Sequence, residues 1–242
     1  MREGNIMKAV GWIGILHAFT LIGWMIINIL LFLANPVSLL GTETIAEKGI
    51  AYYSEFRGLL GFDHGSKSLV MLLSIALPIG LFVYLNKFKN NSLLNITAMI
   101  AGCLGFVFYA LSLMLQATTV EYAFRLYRSV EDEYTRSFAT LLYEWSMLEG
   151  GFSVSIYILA NILVAIWVIL HSSILYKNKS MKKLGLFGYL TGGLLIIGHL
   201  ISWYYLMQAN QNMHQFNEAI GLLLLVWILL ISVKMIRGEI KI

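Results

Sequence analysis

"AVGWIGILHAFTLIGWMIINILLFLA", residues 9–34, runs from end to end without a formal charge. A helix needs about 20 predominantly apolar residues to cross a bilayer core, so this stretch is long enough to span. The same reading finds apolar runs at 68–86, 93–117, 150–176, 184–207 and 213–233. Six runs take up most of the 242 residues and leave no stretch for a separate soluble domain. The expected fold is therefore all-α: one polytopic integral membrane domain over 1–242, a six-transmembrane-helix bundle. Composition agrees, with 59% apolar and 12% charged residues against roughly 25% charged in soluble domains. The first run is too long for a secretory signal, and no small-residue cleavage site follows a short apolar core. No repeat with a period of roughly 20–50 residues is visible.

The basic residues orient the bundle. Arg2 and Lys8 precede the first run, and Lys87 and Lys89 follow the second. Lys177, Lys179, Lys182 and Lys183 join the fourth and fifth, and Lys234, Arg237 and Lys241 follow the sixth. These alternate connections hold eleven of the 17 basic residues; the opposite set, with Lys48, Arg57, Lys67, Arg125, Arg128 and Arg136, holds ten of the 13 acids. Basic residues collect on the cytoplasmic side, which predicts both termini in the cytoplasm of a multi-pass plasma-membrane protein. The net charge of +4 is then topogenic and faces anionic headgroups; no nucleic-acid partner is implied. The sequons "NNS" (90–92), "NIT" (95–97) and "NKS" (178–180) fall at cytoplasmic ends, where they are chance matches.

Two long segments, 35–66 and 118–147, are expected on the outer side. In the second, apolar residues at 123, 126, 127, 130, 134, 138, 141, 142 and 145 follow the helical period, so it prolongs a span or lies on the surface. Tyr52, Tyr53, Tyr122, Tyr127, Tyr134, Tyr143 and Trp145 suit an interfacial aromatic belt, with an aromatic lid over a pocket as the alternative.

Ionisable residues inside spans are costly and open a functional question. Gly14, His17, Leu21, Trp24 and Asn28 fall at steps of three and four on the first helix, forming one stripe. Gly185, Gly188, Gly192 and His199 form another on the fifth, and "GYLTG" (188–192) is a small-xxx-small element for close helix contact. That stripe is a candidate helix–helix docking face. His199 then either makes an interhelical hydrogen bond or belongs to a ligand site. Gln211, His214, Glu218 and Gly221 share a face of the sixth helix if it starts near 211, and Glu149 and Gln116 end neighbouring helices. Their convergence with His199 would make an outward-facing polar pocket. The alternative is that Glu218 sits in the first helical turn behind Asn217, where an acid favours the dipole and Asn caps. The candidate ligand-binding residues are Glu218, His214, His199, Glu149, Asn28 and His17.

No cofactor is implied. His17 and His199 are haem-ligand types, but at 1.5 Å per residue they lie about 13 Å and about 22 Å from the inner surface, and bis-axial ligands should be level. His171 falls near the inner end of the fourth run, within reach of headgroups. His214 and Glu218, four apart, could share a metal, but spacing supplies no third ligand. Cys103 stands alone and reads as a small core hydrophobe. Hydrolase, zincin and phosphate-loop motifs are absent, and "GFDHGSKS" (61–68) reads as turn and cap chemistry ahead of a helix.

The stretch "ILYKNKSMKKLGLFGYLTGGLLIIGHL" (174–200), with "FRGLLGFDHGSKSLVMLLSIALPIGLFVYL" (56–85) before it, resembles a family of small bacterial polytopic membrane proteins known only as a domain of unknown function. That resemblance implies a six- or seven-helix bundle with a long segment after the first helix. It carries no activity or site. The loop before its glycine-rich helix often holds a proline, which "KNKSMKKLG" lacks.

Three functions fit the chain. The leading expectation is a non-catalytic protein that binds a small amphipathic or lipid-like ligand in an outward-facing cavity, as a receptor, carrier or immunity-type factor. The second is an intramembrane metal-dependent hydrolase with His and Glu ligands. The third is a structural subunit docked through the glycine stripe.

Overall fold

The computed structural model describes residues 3–35, 44–56, 58–86, 92–129, 132–148, 151–206 and 214–238. These form α1 (Glu3–Ala34), α2 (Ile45–Glu55), α3 (Leu59–Ser74), α4 (Ala76–Leu85), α5 (Ser92–Ser129), α6 (Glu133–Met147), α7 (Phe152–Lys177), α8 (Lys182–Leu206) and α9 (His214–Arg237). No strand occurs among the described residues. Six helical stretches are long and apolar enough to cross a membrane: Gly4–Ala34, Leu59–Leu85, Leu93–Ser129, Glu133–Lys177, Lys182–Ile201 and Ile220–Arg237. The fold is therefore all-helical, with the make-up of a multi-pass membrane protein.

The second stretch starts nine residues earlier than the apolar run at 68 suggests. Asp63, His64, Ser66 and Lys67 interrupt that run, yet they lie in α3 and not in a turn. Between α3 and α4 the helix breaks at Ile75, because Pro78 has no N–H for the Ser74 carbonyl. Ile75 N–H donates to Leu72 O at 3.3 Å instead, and Pro78 falls in the first turn of α4, where no intrahelical donor is needed. Residues 118–129 continue α5.

α2 and α6 begin on side-chain caps. Thr44 and Glu47 form a reciprocal box, Glu47 N–H to Thr44 Oγ1 at 3.2 Å and Thr44 N–H to Glu47 Oε2 at 2.6 Å. Asp132 accepts from the Thr135 N–H at 3.1 Å and from its hydroxyl at 2.9 Å.

The chain divides into two compact units. One comprises Met1–Phe19, Val70–Tyr109 and Ile158–Ile242; the other comprises Thr20–Leu69 and Ala110–Tyr157. In the second unit α2, α5 and α6 present residues at helical spacing to a common core of Ala46, Ile50, Val120, Ala123, Phe124, Ala139 and Tyr143, with Leu60 of α3. Phe124 and Tyr143 stack with ring centroids 5.9 Å apart.

In the first unit Trp167, fully buried, is the hub. Its ring meets Phe106 at 5.4 Å and Trp227 at 5.3 Å, both edge to face, and His17 meets Phe106 at 5.8 Å. The glycine stripe of α8 is used inside the chain. A Cβ at Gly185 would stand 2.6 Å from Tyr176 N and 2.8 Å from Ser172 O, and one at Gly192 would stand 3.0 Å from Ala165 O. The stripe expected to be a docking face for another protein is thus filled by α7, whose backbone it admits to close range.

Two outcomes are expected. Gly185→Ala, which meets rigid backbone, should cost about 1–3 kcal/mol and lower the thermal midpoint. Gly193→Ala, with nothing within 4 Å of the added carbon, should leave it unchanged; equal effects would contradict the tight α7–α8 contact. The caps carry a pH dependence. The Thr44 backbone and side-chain bonds hold the Glu47 carboxyl below its ordinary 4.5, and the Thr135 side-chain and backbone bonds hold Asp132 below 3.8. Depressed values mean the caps are complete above those ordinary values and are lost as pH falls through the lowered ones. Amide exchange in the first turn of α6, corrected for intrinsic rate, should lose protection only in that acid range. In Asp132→Ala that step should vanish; a step that persists would show another group responsible.

Candidate functional site

Asp63, Ser66 and Lys67 stand one turn apart on α3, so they share a face. In the second unit that face meets α1. Asn28 Nδ2 donates to Asp63 Oδ2 at 3.1 Å and to the Trp24 carbonyl at 3.0 Å. Trp24 Nε1–H donates to Ser66 Oγ at 2.7 Å, and Ser66 in turn donates to the Asp63 carbonyl at 3.0 Å. Partner numbers rise along α1 as they fall along α3, so the two helices run antiparallel here. Trp24 also meets Phe62 edge to face at 5.8 Å.

Lys67 Nζ pairs with Asp63 Oδ1 one turn back. The aspartate side chain is 3% exposed and the lysine 19%, so a buried carboxylate holds a half-buried ammonium. Oδ2 accepts a hydrogen bond from Asn28, while Oδ1 has Lys67 as its ion-pair partner and no hydrogen bond among the described residues. His64, next in sequence and half-buried, donates from Nδ1 to the Leu60 carbonyl at 3.0 Å. α5 secures the other flank of α3: Ser68 donates to Ala110 O at 2.8 Å, and Gly61 N–H donates to Glu121 Oε1 at 3.1 Å. The result is an ion pair with a fixed polar surround, carried on a helix of membrane-crossing length and composition.

Of the residues singled out from the sequence, Asn28 belongs to this cluster. His17, on the same α1 stripe, has a separate partner. It is 2% exposed and bonds through Nδ1 to Ser74 Oγ at 2.7 Å. Ser74 gives its own proton to Val70 O at 2.7 Å, so the histidine is the donor. His199 is 2% exposed and bonds through Nδ1 to Leu195 O at 2.9 Å, one turn back on its own helix. His214 and Glu218 fall on the described backbone of α9, but their side chains lie outside the described residues, as do Glu149 and Gln211.

His171 requires a correction. It is fully buried instead of reaching headgroups, because Asn95 supplies a partner. Asn95 Nδ2 donates to Phe82 O at 2.9 Å, which leaves its Oδ1 to accept from His171 Nε2 at 3.1 Å. That places Asn95, 1% exposed, in the packed interior and removes it as a glycan acceptor. Cys103 is a free, half-buried thiol. Among the described residues no three His, Cys, Asp or Glu side chains converge as a metal-ligand set.

The Asp63–Lys67 pair was passed over because polar residues before an apolar run resemble cap and turn chemistry. Its signal was the spacing: an acid four residues ahead of a lysine favours a helix, and the Thr44–Glu47 box likewise announces α2. No family model matches the chain, and no curated protein or solved structure matches it.

Asn28→Leu removes the donor to Asp63 Oδ2 and leaves a buried carboxylate oxygen without its partner. The expected loss is about 1–3 kcal/mol, read as a lower thermal midpoint in detergent. An unchanged midpoint would show that the Asn28 bond contributes nothing to holding Asp63.

Proposed function

We propose that the protein is a multi-pass plasma-membrane protein, both termini cytoplasmic, that binds a small amphipathic or lipid-like ligand in an outward-facing polar site. The observation that carries this reading is the Asp63–Lys67 pair, buried on one member and accessible on the other, within a helix of membrane-crossing length. Ionisable groups placed in a membrane span are expensive and mark functional positions. An ion pair kept only for stability is a poor bargain, since apolar residues of similar volume are often neutral or better. In the orientation set by the basic residues, α3 enters the bilayer from the outer side, and Asp63 lies about 6 Å along it from Leu59 at 1.5 Å per residue. By the same rise Lys67 lies about 12 Å along it, inside the span, with apolar side chains of α1 and α3 around the pair for an acyl or ring moiety.

The roles open to such a protein are receptor, carrier or immunity-type factor. A metal-dependent hydrolase would have to draw on His214 and Glu218, whose side chains are not described, and a subunit docked through α8 on a glycine face that α7 fills.

The test is native mass spectrometry after gentle release from detergent, comparing the wild type with the double variant Asp63→Leu/Lys67→Met. The wild type should carry a reproducible added mass of an amphipath. The variant, which removes both charges together, should stay folded, with a midpoint no lower than that of Asn28→Leu, and lose that mass. Retention of the same adduct by a folded double variant would remove the site.

A further inference from the structure

Resting on that reading, we infer that the site selects an amphipath with an oxyanion head, a phosphate or carboxylate, and that Lys67 is the residue that meets it. The argument is a count of hydrogens. Asn28 has two amide protons, one given to Trp24 O and one to Asp63 Oδ2. Trp24 has one indole proton, given to Ser66, and Ser66 has one hydroxyl proton, given to Asp63 O. Each of these donors is spent. Lys67 has three ammonium protons and a single partner among the described residues, Asp63 Oδ1. It is the donor in the network with capacity left, and its side chain is the accessible member of the pair.

The acceptor side points the same way. A cationic head would need a carboxylate without a counter-charge, and Asp63 is buried, with Lys67 as the ion-pair partner of Oδ1 and Asn28 donating to Oδ2. The Asn28 carbonyl oxygen is neutral and suits a hydroxyl beside the head rather than an ammonium. Asp63 therefore acts as a positioning residue. It balances the lysine charge when the site is empty and fixes the ammonium in place through the i,i+4 contact. An incoming oxyanion accepts a charge-assisted hydrogen bond from the ammonium, shorter and stronger than a neutral one.

Native mass spectrometry in a neutral maltoside detergent tests this with three probes of equal chain length: decyl phosphate, decyltrimethylammonium and decyl maltoside. The wild type should retain decyl phosphate in preference to the other two. Lys67→Met should weaken it by about tenfold to a hundredfold, the equivalent of one lost hydrogen bond to a charged group. Lys67→Arg should restore it. Asp63→Asn should hold it more tightly than the wild type, since the anion then meets an ammonium with no resident counter-charge.

Inorganic phosphate serves as competitor. Displacement at matched concentration would assign the site to a free oxyanion, and no displacement would assign it to an amphipath. Equal retention of all three heads by the wild type, or a preference for decyltrimethylammonium lost in Asp63→Asn, would overturn the oxyanion assignment. The wild-type series needs no variant to fold. If the double variant loses the native adduct while the wild type ignores head charge, the inference fails and the ligand site stands. If that variant keeps the adduct, the site itself fails.

Discussion

In apolar surroundings a polar side chain must find its partner inside the protein, and among the described residues many find it one turn back. Thr97 donates to Leu93 O at 3.0 Å, Thr191 to Phe187 O at 2.9 Å, Thr118 to Met114 O at 3.0 Å and Ser74 to Val70 O at 2.7 Å. His199 follows the same rule with Leu195. These bonds let a helix keep hydroxyls in apolar surroundings without a partner on another helix, so they say little about function. The bonds that cross between helices are fewer and carry the tertiary information. His17 with Ser74 and His171 with Asn95 cross in one unit; Asn28 with Asp63, Trp24 with Ser66, Ser68 with Ala110 and Ser112 with the Ser153 carbonyl cross in the other.

That distinction explains how much could be read beforehand. The number of helical stretches able to cross a membrane follows from apolar run length, because a chain with no water at hand satisfies its backbone internally. The start of the second span did not follow. A window that looks for uninterrupted apolar residues stops at Lys67, whereas the helix tolerates Asp63 and Lys67 because each neutralises the other and both face α1. The α1 stripe was legible as a stripe, since Gly14, His17, Trp24 and Asn28 repeat at helical steps. Which member would gain a partner on another helix was not, because that depends on what α3 sets opposite each one. His171 illustrates the same limit from the other side. Its place near a span end suggested an exposed ring, and only Asn95, distant in sequence, accounts for its complete burial.

Glycine readings divide on similar grounds. The steps of three and four along α8 correctly pointed to close helix contact, but spacing does not say whose helix approaches. Gly185 sits against the backbone of Tyr176 and Ser172, and Gly192 against Ala165 O, so the partner is the preceding helix of the same chain. A turn as short as residues 178–181 between α7 and α8 makes that neighbour the natural one, since short connections leave sequential helices antiparallel and adjacent.

The energetics of the Asp63–Lys67 pair separate a structural role from a functional one. Surface pairs contribute about 0–1 kcal/mol, and buried pairs repay their desolvation only with good geometry and further hydrogen bonds. Asp63 has those further bonds, through Asn28 and the ordered Trp24–Ser66 contact beside it. Lys67 does not; its capacity is left half used at the accessible edge of the cluster. A pair built only to quiet two charges would bury or saturate both members. Burying the acid while leaving the base less buried and with spare donors produces a cationic contact of no net charge, the feature on which the proposed oxyanion site rests.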